Sequence, residues 1–127
     1  MKKQRIEKYN WTTFEKDAAK IAAWAKTFSG RKKFSGVYGI PRGGLVLAVK
    51  LSHLTGISFV AEKNKIGKNT LVVDDIVDGG KTMTRLLSSL KKKPFTASIY
   101  FEEKAALTPD FYVRKKKGGW VVFPWEG

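Results

Sequence analysis

The sequence predicts an α/β fold, an open and mostly parallel twisted sheet flanked by helices. Three observations carry this. Short apolar runs alternate with helical patterns through the middle of the chain, which is how strand–helix–strand units read. Two glycine-bearing turns, around residues 41–44 and 78–82, each follow an apolar run and precede a helical pattern. Finally, 127 residues suffice for one domain with one core and leave no room for a second.

Taken in order, Trp11, Phe14, Ala18, Ile21, Ala22, Trp24, Ala25 and Phe28 recur at helical spacing. Asn10 or Thr12 can cap that helix and Gly30 can end it. Trp11 and Trp24 read as packing residues. The polar break Arg31-Lys32-Lys33 precedes a short strand over 34–40, which runs into Pro41-Arg42-Gly43-Gly44. A helix over 45–54 ends at Thr55-Gly56 and carries His53, the single histidine. No acid lies near His53 in sequence, so a surface or packing role is expected of it.

A second apolar strand spans 57–61, and 62–69 is a charged loop with Gly67 near its tip. The central strand covers 70–73. After its loop a helix runs from about 82 to 92, with Lys91 to Lys93 suiting its negative end and Pro94 stopping it. A fourth strand covers 96–101, residues 102–117 read as irregular and charged, and 120–123 is a last short strand. In such sheets ligands bind outside the carboxyl ends of the strands, so both glycine turns should face one crevice.

Bulk composition narrows the chemistry. With no cysteine, disulfides, thiolate metal sites and a cysteine nucleophile are excluded. That absence suits a reducing cytosol. No apolar run approaches the roughly 20 residues that span a bilayer, and the basic start Met1-Lys2-Lys3-Gln4-Arg5 has no apolar stretch after it. The expectation is a cytoplasmic protein with no membrane segment. The net charge of +14 draws anions: nucleic acid, acidic membranes or phosphorylated small molecules. No basic helix with interleaved aromatics singles out nucleic acid.

The richest stretch is Leu71-Val72-Val73-Asp74-Asp75-Ile76-Val77-Asp78-Gly79-Gly80-Lys81-Thr82. Gly79 and Gly80 let backbone N–H groups turn inward at a helix start, which makes an anion site. Lys81 adds charge and Thr82 a hydroxyl. Asp74 and Asp75 can accept hydrogen bonds from vicinal hydroxyls or hold Mg²⁺. A sugar phosphate meets both needs. A P-loop would require glycine at position 75, where this chain has Asp75.

That stretch resembles the phosphoribosyl-diphosphate (PRPP) motif of type I phosphoribosyltransferases, and is most similar to the bacterial xanthine-guanine enzymes and their small archaeal relatives. Gly39-Ile40-Pro41-Arg42-Gly43-Gly44 resembles the family's pyrophosphate loop. Lys104 matches a lysine that reads the purine 6-oxo group. Trp120-Val121-Val122-Phe123-Pro124-Trp125-Glu126 resembles the hood over the base, here about 102–127. The resemblance covers roughly residues 9–126, a single phosphoribosyltransferase domain.

It implies transfer of phosphoribose from PRPP to a 6-oxopurine (guanine, xanthine or hypoxanthine), with Mg²⁺ and a homodimer or homotetramer. Asp74 and Asp75 would hold the ribose hydroxyls, with Asp75 also touching the metal shell. Asp78 would face purine N7 as general acid/base. Gly79, Gly80, Lys81 and Thr82 would cradle the 5-phosphate, and Arg42 and Gly43 the pyrophosphate. Trp120 would stack on the base while the Val121 backbone contacts its edge. The chain departs from the family at Pro41 (usually serine), Gly79 (usually threonine) and Lys81 (usually glycine). These departures and the charge motivate an alternative, a non-catalytic PRPP-sensing or RNA-binding regulator on the same fold.

Overall fold

The computed structural model describes residues 5–28 and 34–126. The expected cap Gly30, the break Arg31-Lys32-Lys33, and Lys2 and Lys3 at the start of the chain lie outside that set. Five strands form one fully parallel sheet: β2 (Gly36–Gly39), β3 (Ser58–Phe59), β4 (Thr70–Val77), β5 (Phe95–Glu102) and β6 (Phe111–Lys116), in the order β3-β2-β4-β5-β6. A separate parallel pair joins β1 (Ile6–Lys8) to β7 (Trp120–Val122). Three helices complete the chain: α1 (Trp11–Phe28), α2 (Gly43–Thr55) and α3 (Lys81–Ser88). No helix among the described residues is long and apolar enough to cross a membrane.

Alternating side chains of the sheet feed two apolar layers. Val37, Leu71, Val73, Ala97 and Ile99 pack with Phe14, Ala18 and Ile21 of α1 and Leu47, Ala48 and Leu51 of α2. Tyr38, Val72 and Phe101 face the other way, against Met83 and Leu86 of α3. The sheet is thus sandwiched between helices, as the alternation predicts. Trp24 stacks on Phe111 at 5.0 Å, and Trp11, half-exposed, leans on Phe14 and Trp125. His53 is exposed on α2.

Several boundaries differ from expectation, among them β2, shorter than 34–40, and α2, which begins at Gly43 rather than Leu45. β4 does not stop at Val73 but carries Asp74 and Asp75 within it, because pairing of Asp74 with Ser98 and Ile76 with Tyr100 continues past the apolar run. α3 ends at Ser88 rather than near Lys92. The Ser88 and Ser89 hydroxyls donate to the carbonyls of Thr84 and Leu86 there, competing with the helix ladder, so the lysines and Pro94 follow the helix. β3 is a two-residue exposed edge strand, shorter than 57–61. Most consequentially, 102–117 is not irregular throughout, since β6 lies in it. Its apolar half is short and its cationic half is held by acids, so no hydrophobic alternation announces it.

One of those acids ties the layers together. Asp17 of α1 is fully buried, accepts Arg114 Nε at 2.8 Å and Nη2 at 3.2 Å, and takes the Tyr9 hydroxyl at 2.6 Å. Burial and the Asp17 carboxylate push the Tyr9 phenol far above its ordinary pKa, so it remains a donor. Removing one partner of a buried pair costs about 3–5 kcal/mol. Arg114 is 39% exposed and can turn to water, so Asp17→Ala should cost about 3 kcal/mol in urea unfolding. Surface controls such as Glu15→Ala should stay within about 0.5 kcal/mol.

Candidate active site

The chain leaves β2 for the sheet edge at β3 and returns on the other side of β2 as β4. The winding direction therefore reverses between β2 and β4, and their carboxyl ends form the crevice where such sheets bind ligands. The loop after β2 is laced onto β4, with Ile40 N donating to Val73 O at 2.9 Å and Gly44 N to Ile40 O at 2.8 Å. It contains a cis peptide between Pro41 and Arg42.

Glycines make the close approach possible. A Cβ on Gly44 would lie 2.6 Å from Val73 O, and a Cβ on Gly43 would overlap the Asp75 carboxylate. The two glycine turns share one cleft of about 300 Å³, lined among others by Pro41, Gly43, Asp74, Asp75, Asp78 and Thr82. Across Gly43 and Asp75 lies a second cleft of about 540 Å³ that adds Arg42, Trp125 and Glu126.

At the floor, Asp75 N donates to Asp74 Oδ1 at 2.8 Å. Burial, with the Asp75 side chain beside it, pushes the Asp74 carboxyl up to about 9. Two acids desolvated together cannot both ionise cheaply. The folded protein then keeps a proton that the unfolded chain releases above its ordinary value of 3.8, so this group's contribution to stability is present at low pH and is lost as pH climbs towards 9. Melting temperatures of the ligand-free protein and Asp74→Asn, compared from pH 4 to 9, should diverge progressively in favour of the variant.

At the far wall, Gly80 sits at φ 83° and precedes α3. A Cβ there would come within 3.0 Å of Leu107 N, and Gly79 O accepts Ala106 N at 3.1 Å, so the turn is clamped by the segment after β5. Lys81 and Thr82, both exposed, open the helix, where backbone N–H groups lack intrahelical acceptors. The turn presents donors and positive dipole to the cleft in which Asp74 and Asp75 present acceptors.

Other expected residues fall elsewhere. Asp78 stands on the rim with its side chain 60% exposed, and Lys116 Nζ lies 4.0 Å from its Oδ1. Lys104 is exposed in the turn after β5, lines none of these clefts, and has no recorded ion pair among the described residues. Trp120, 56% exposed, and buried Val121 line a third cleft of about 530 Å³ with Arg5, Tyr100, Arg114 and Lys116. Lys116 links that cleft to Asp78. Sequence reasoning missed Lys116 and Glu102 as site neighbours, and it placed Trp125 in the hood over the base without its contact to Asp75. The Trp125 indole Nε1 donates to Asp75 Oδ2 at 3.3 Å, a contact made only when the end of the chain folds back over β4.

No protein-family model matches the chain. It is 30% identical to the xanthine-guanine phosphoribosyltransferase of Gluconobacter oxydans, over 91% of this chain and 82% of that protein. The chain belongs to the xanthine-guanine phosphoribosyltransferase family. A purine phosphoribosyltransferase structure from Pyrococcus horikoshii superposes with a TM-score of 0.78 at 25% identity, covering 96% of this chain and 94% of that one. The Helicobacter pylori xanthine-guanine-hypoxanthine phosphoribosyltransferase shares the fold at a TM-score of 0.83 and 24% identity, with the same coverage. The α/β class read from the alternation is therefore the fold of this family.

Proposed function

We propose that the protein transfers the phosphoribosyl group of PRPP to a 6-oxopurine, forming the nucleoside 5-monophosphate and pyrophosphate. The observation that carries this is the opposition, across one cleft, of the Asp74–Asp75 pair and the glycine turn that starts α3. The first suits vicinal hydroxyls and the second suits a phosphate monoester. Few ligands besides a sugar phosphate ask for both.

In this reading the 5-phosphate sits on the N–H groups from Gly79 to Thr82, with Lys81 offsetting the donor lost where Gly79 replaces the usual threonine. Asp74 and Asp75 accept from the 2- and 3-hydroxyls. Arg42 and the Gly43 backbone face the pyrophosphate, which leaves as the base nitrogen bonds to the anomeric carbon. Positive charge grows on the ribose during that exchange, and adjacent carboxylates favour it. Asp78 takes or gives the proton at purine N7. The loop 62–69, whose residues Lys63–Lys65 form a single 3-10 turn, would close over the site to exclude water.

The acid pair also fits Mg²⁺. The two carboxylates are hard oxygen donors whose mutual repulsion a divalent cation would relieve. No cluster of three protein ligands exists among the described residues, which suits a metal that keeps its waters and substrate oxygens. Asp75 would hold that shell, and bound Mg²⁺ would neutralise charge on the departing pyrophosphate. A cytoplasmic homodimer or homotetramer is part of the same reading, on the family's precedent.

The test is a panel of guanine, xanthine, hypoxanthine, adenine and uracil, each with PRPP and Mg²⁺, read by pyrophosphate release. Release with at least one 6-oxopurine, exceeding adenine and uracil by at least about tenfold, is expected. Equal release with all five, or none, contradicts the proposal.

A further inference from the structure

Three adjacent strands end side by side at the rim, and each delivers one charged group. Asp78 follows β4, Glu102 ends β5 and Lys116 ends β6, with Glu102 and Lys116 directly paired in register. The Lys116 ammonium lies 3.7 Å from Glu102 Oε2 and 4.0 Å from Asp78 Oδ1. The Lys116 and Glu102 side chains are 9% and 13% exposed, unusual for residues that seldom leave water. Gly118 N also donates to Glu102 Oε2, at 2.9 Å. Both contacts therefore fall on one oxygen, leaving Oε1 without a recorded partner among the described residues.

We propose that Lys116 and Glu102 together form the reader of the purine's six-membered ring, with the ammonium on O6 and Glu102 Oε1 on N1–H. This rests on the preceding reading only in placing Asp78 at N7. In a purine, N7 and O6 lie on one edge, close enough for a single side chain to span both. A cation about 4 Å from the group at N7 therefore stands beside O6. Position 1 is the next atom round the ring from the carbon that bears O6, as the Glu102 carboxylate is the other acid that the Lys116 ammonium contacts besides Asp78.

The polarity of the pair then selects the base. Guanine, hypoxanthine and xanthine present an acceptor at O6 and a donor at N1, which complement ammonium and carboxylate. Adenine presents a donor at N6 and an acceptor at N1, which reverses both contacts and leaves two desolvated charges opposed. Trp120 and Val121 line the same cleft as Lys116, so the stacking surface and the reading ammonium share one space. Lys104, exposed in its turn, is displaced from that role.

Steady-state kinetics with guanine and adenine on Lys116→Met, Lys116→Arg and Glu102→Gln test this. Taking both bases on one preparation cancels the folded fraction. Lys116→Met should lower the guanine-to-adenine ratio of kcat/KM by about 100-fold. The loss should appear in KM for guanine, with KM for PRPP within about threefold. Lys116→Arg should restore most of the ratio, and Glu102→Gln should lower it by about tenfold. If Lys116→Met does not fold, the Glu102→Gln ratio decides. A wild-type ratio in Lys116→Met or Glu102→Gln, or a collapse confined to Lys104→Met, overturns the inference while the proposed function stands. A wild-type protein that transfers phosphoribose to no base overturns both.

Discussion

Asparagine at position 78 should leave PRPP bound and nearly halt its transfer. The amide keeps the shape of Asp78 on the rim, where the side chain is largely solvent-accessible and Lys116 is its nearest cation, so folding and the phosphate cradle are untouched. What disappears is a group that can exchange a proton with purine N7. Positioned acid/base groups contribute about 10²–10⁴-fold, so kcat should fall by about 10³-fold. The dissociation constant for PRPP should move less than about threefold. Equal losses in turnover and PRPP affinity would place Asp78 among the ribose ligands instead.

The second large effect should come from one methyl group. Gly43 approaches the Asp75 carboxylate so closely that a Cβ would overlap its oxygens. Asp75 is also held from the other side by the Trp125 indole, and its backbone is fixed in β4. Gly43→Ala must therefore swing the carboxylate out of the cleft or push the loop off the sheet. Either movement separates Arg42 from the acids. A displacement of about 1 Å can cost about 100-fold, and this one moves two groups, so kcat/KM should fall by about 10³-fold. Glycine-to-alanine at Gly67, where a Cβ meets nothing within 4 Å, is the control for folding, and its melting temperature should stay near wild type.

The parts of this molecule that could be read in advance are those where local pattern and tertiary need agree. Helix α1 appears with its expected bounds because its apolar stripe is the stripe it buries. The meeting of two glycine turns followed from strand direction alone. Failures occurred where long-range pairing overrode local character. Asp74 and Asp75 look like a loop beginning because acids follow an apolar run, yet the β5 ladder keeps them in the strand. β6 was invisible because Arg114 and Lys116 read as solvated charge, while their partners Asp17 and Glu102 lie far away or on another strand. An alternation of cations, Arg114 and Lys116 on one face, was the available signal. The contact between Trp125 and Asp75 had none, since fifty positions separate the two residues.

The account turns on the claim that Asp74 and Asp75 face the phosphate turn in order to hold one pentose phosphate between them. Isothermal titration of the wild-type protein with PRPP in the presence of Mg²⁺, repeated on Asp75→Ala, addresses it directly. Saturable heat with one PRPP per chain, lost in Asp75→Ala and unaffected by Lys104→Ala, is the predicted result. No heat with the wild-type protein, or undiminished heat with Asp75→Ala, would contradict it.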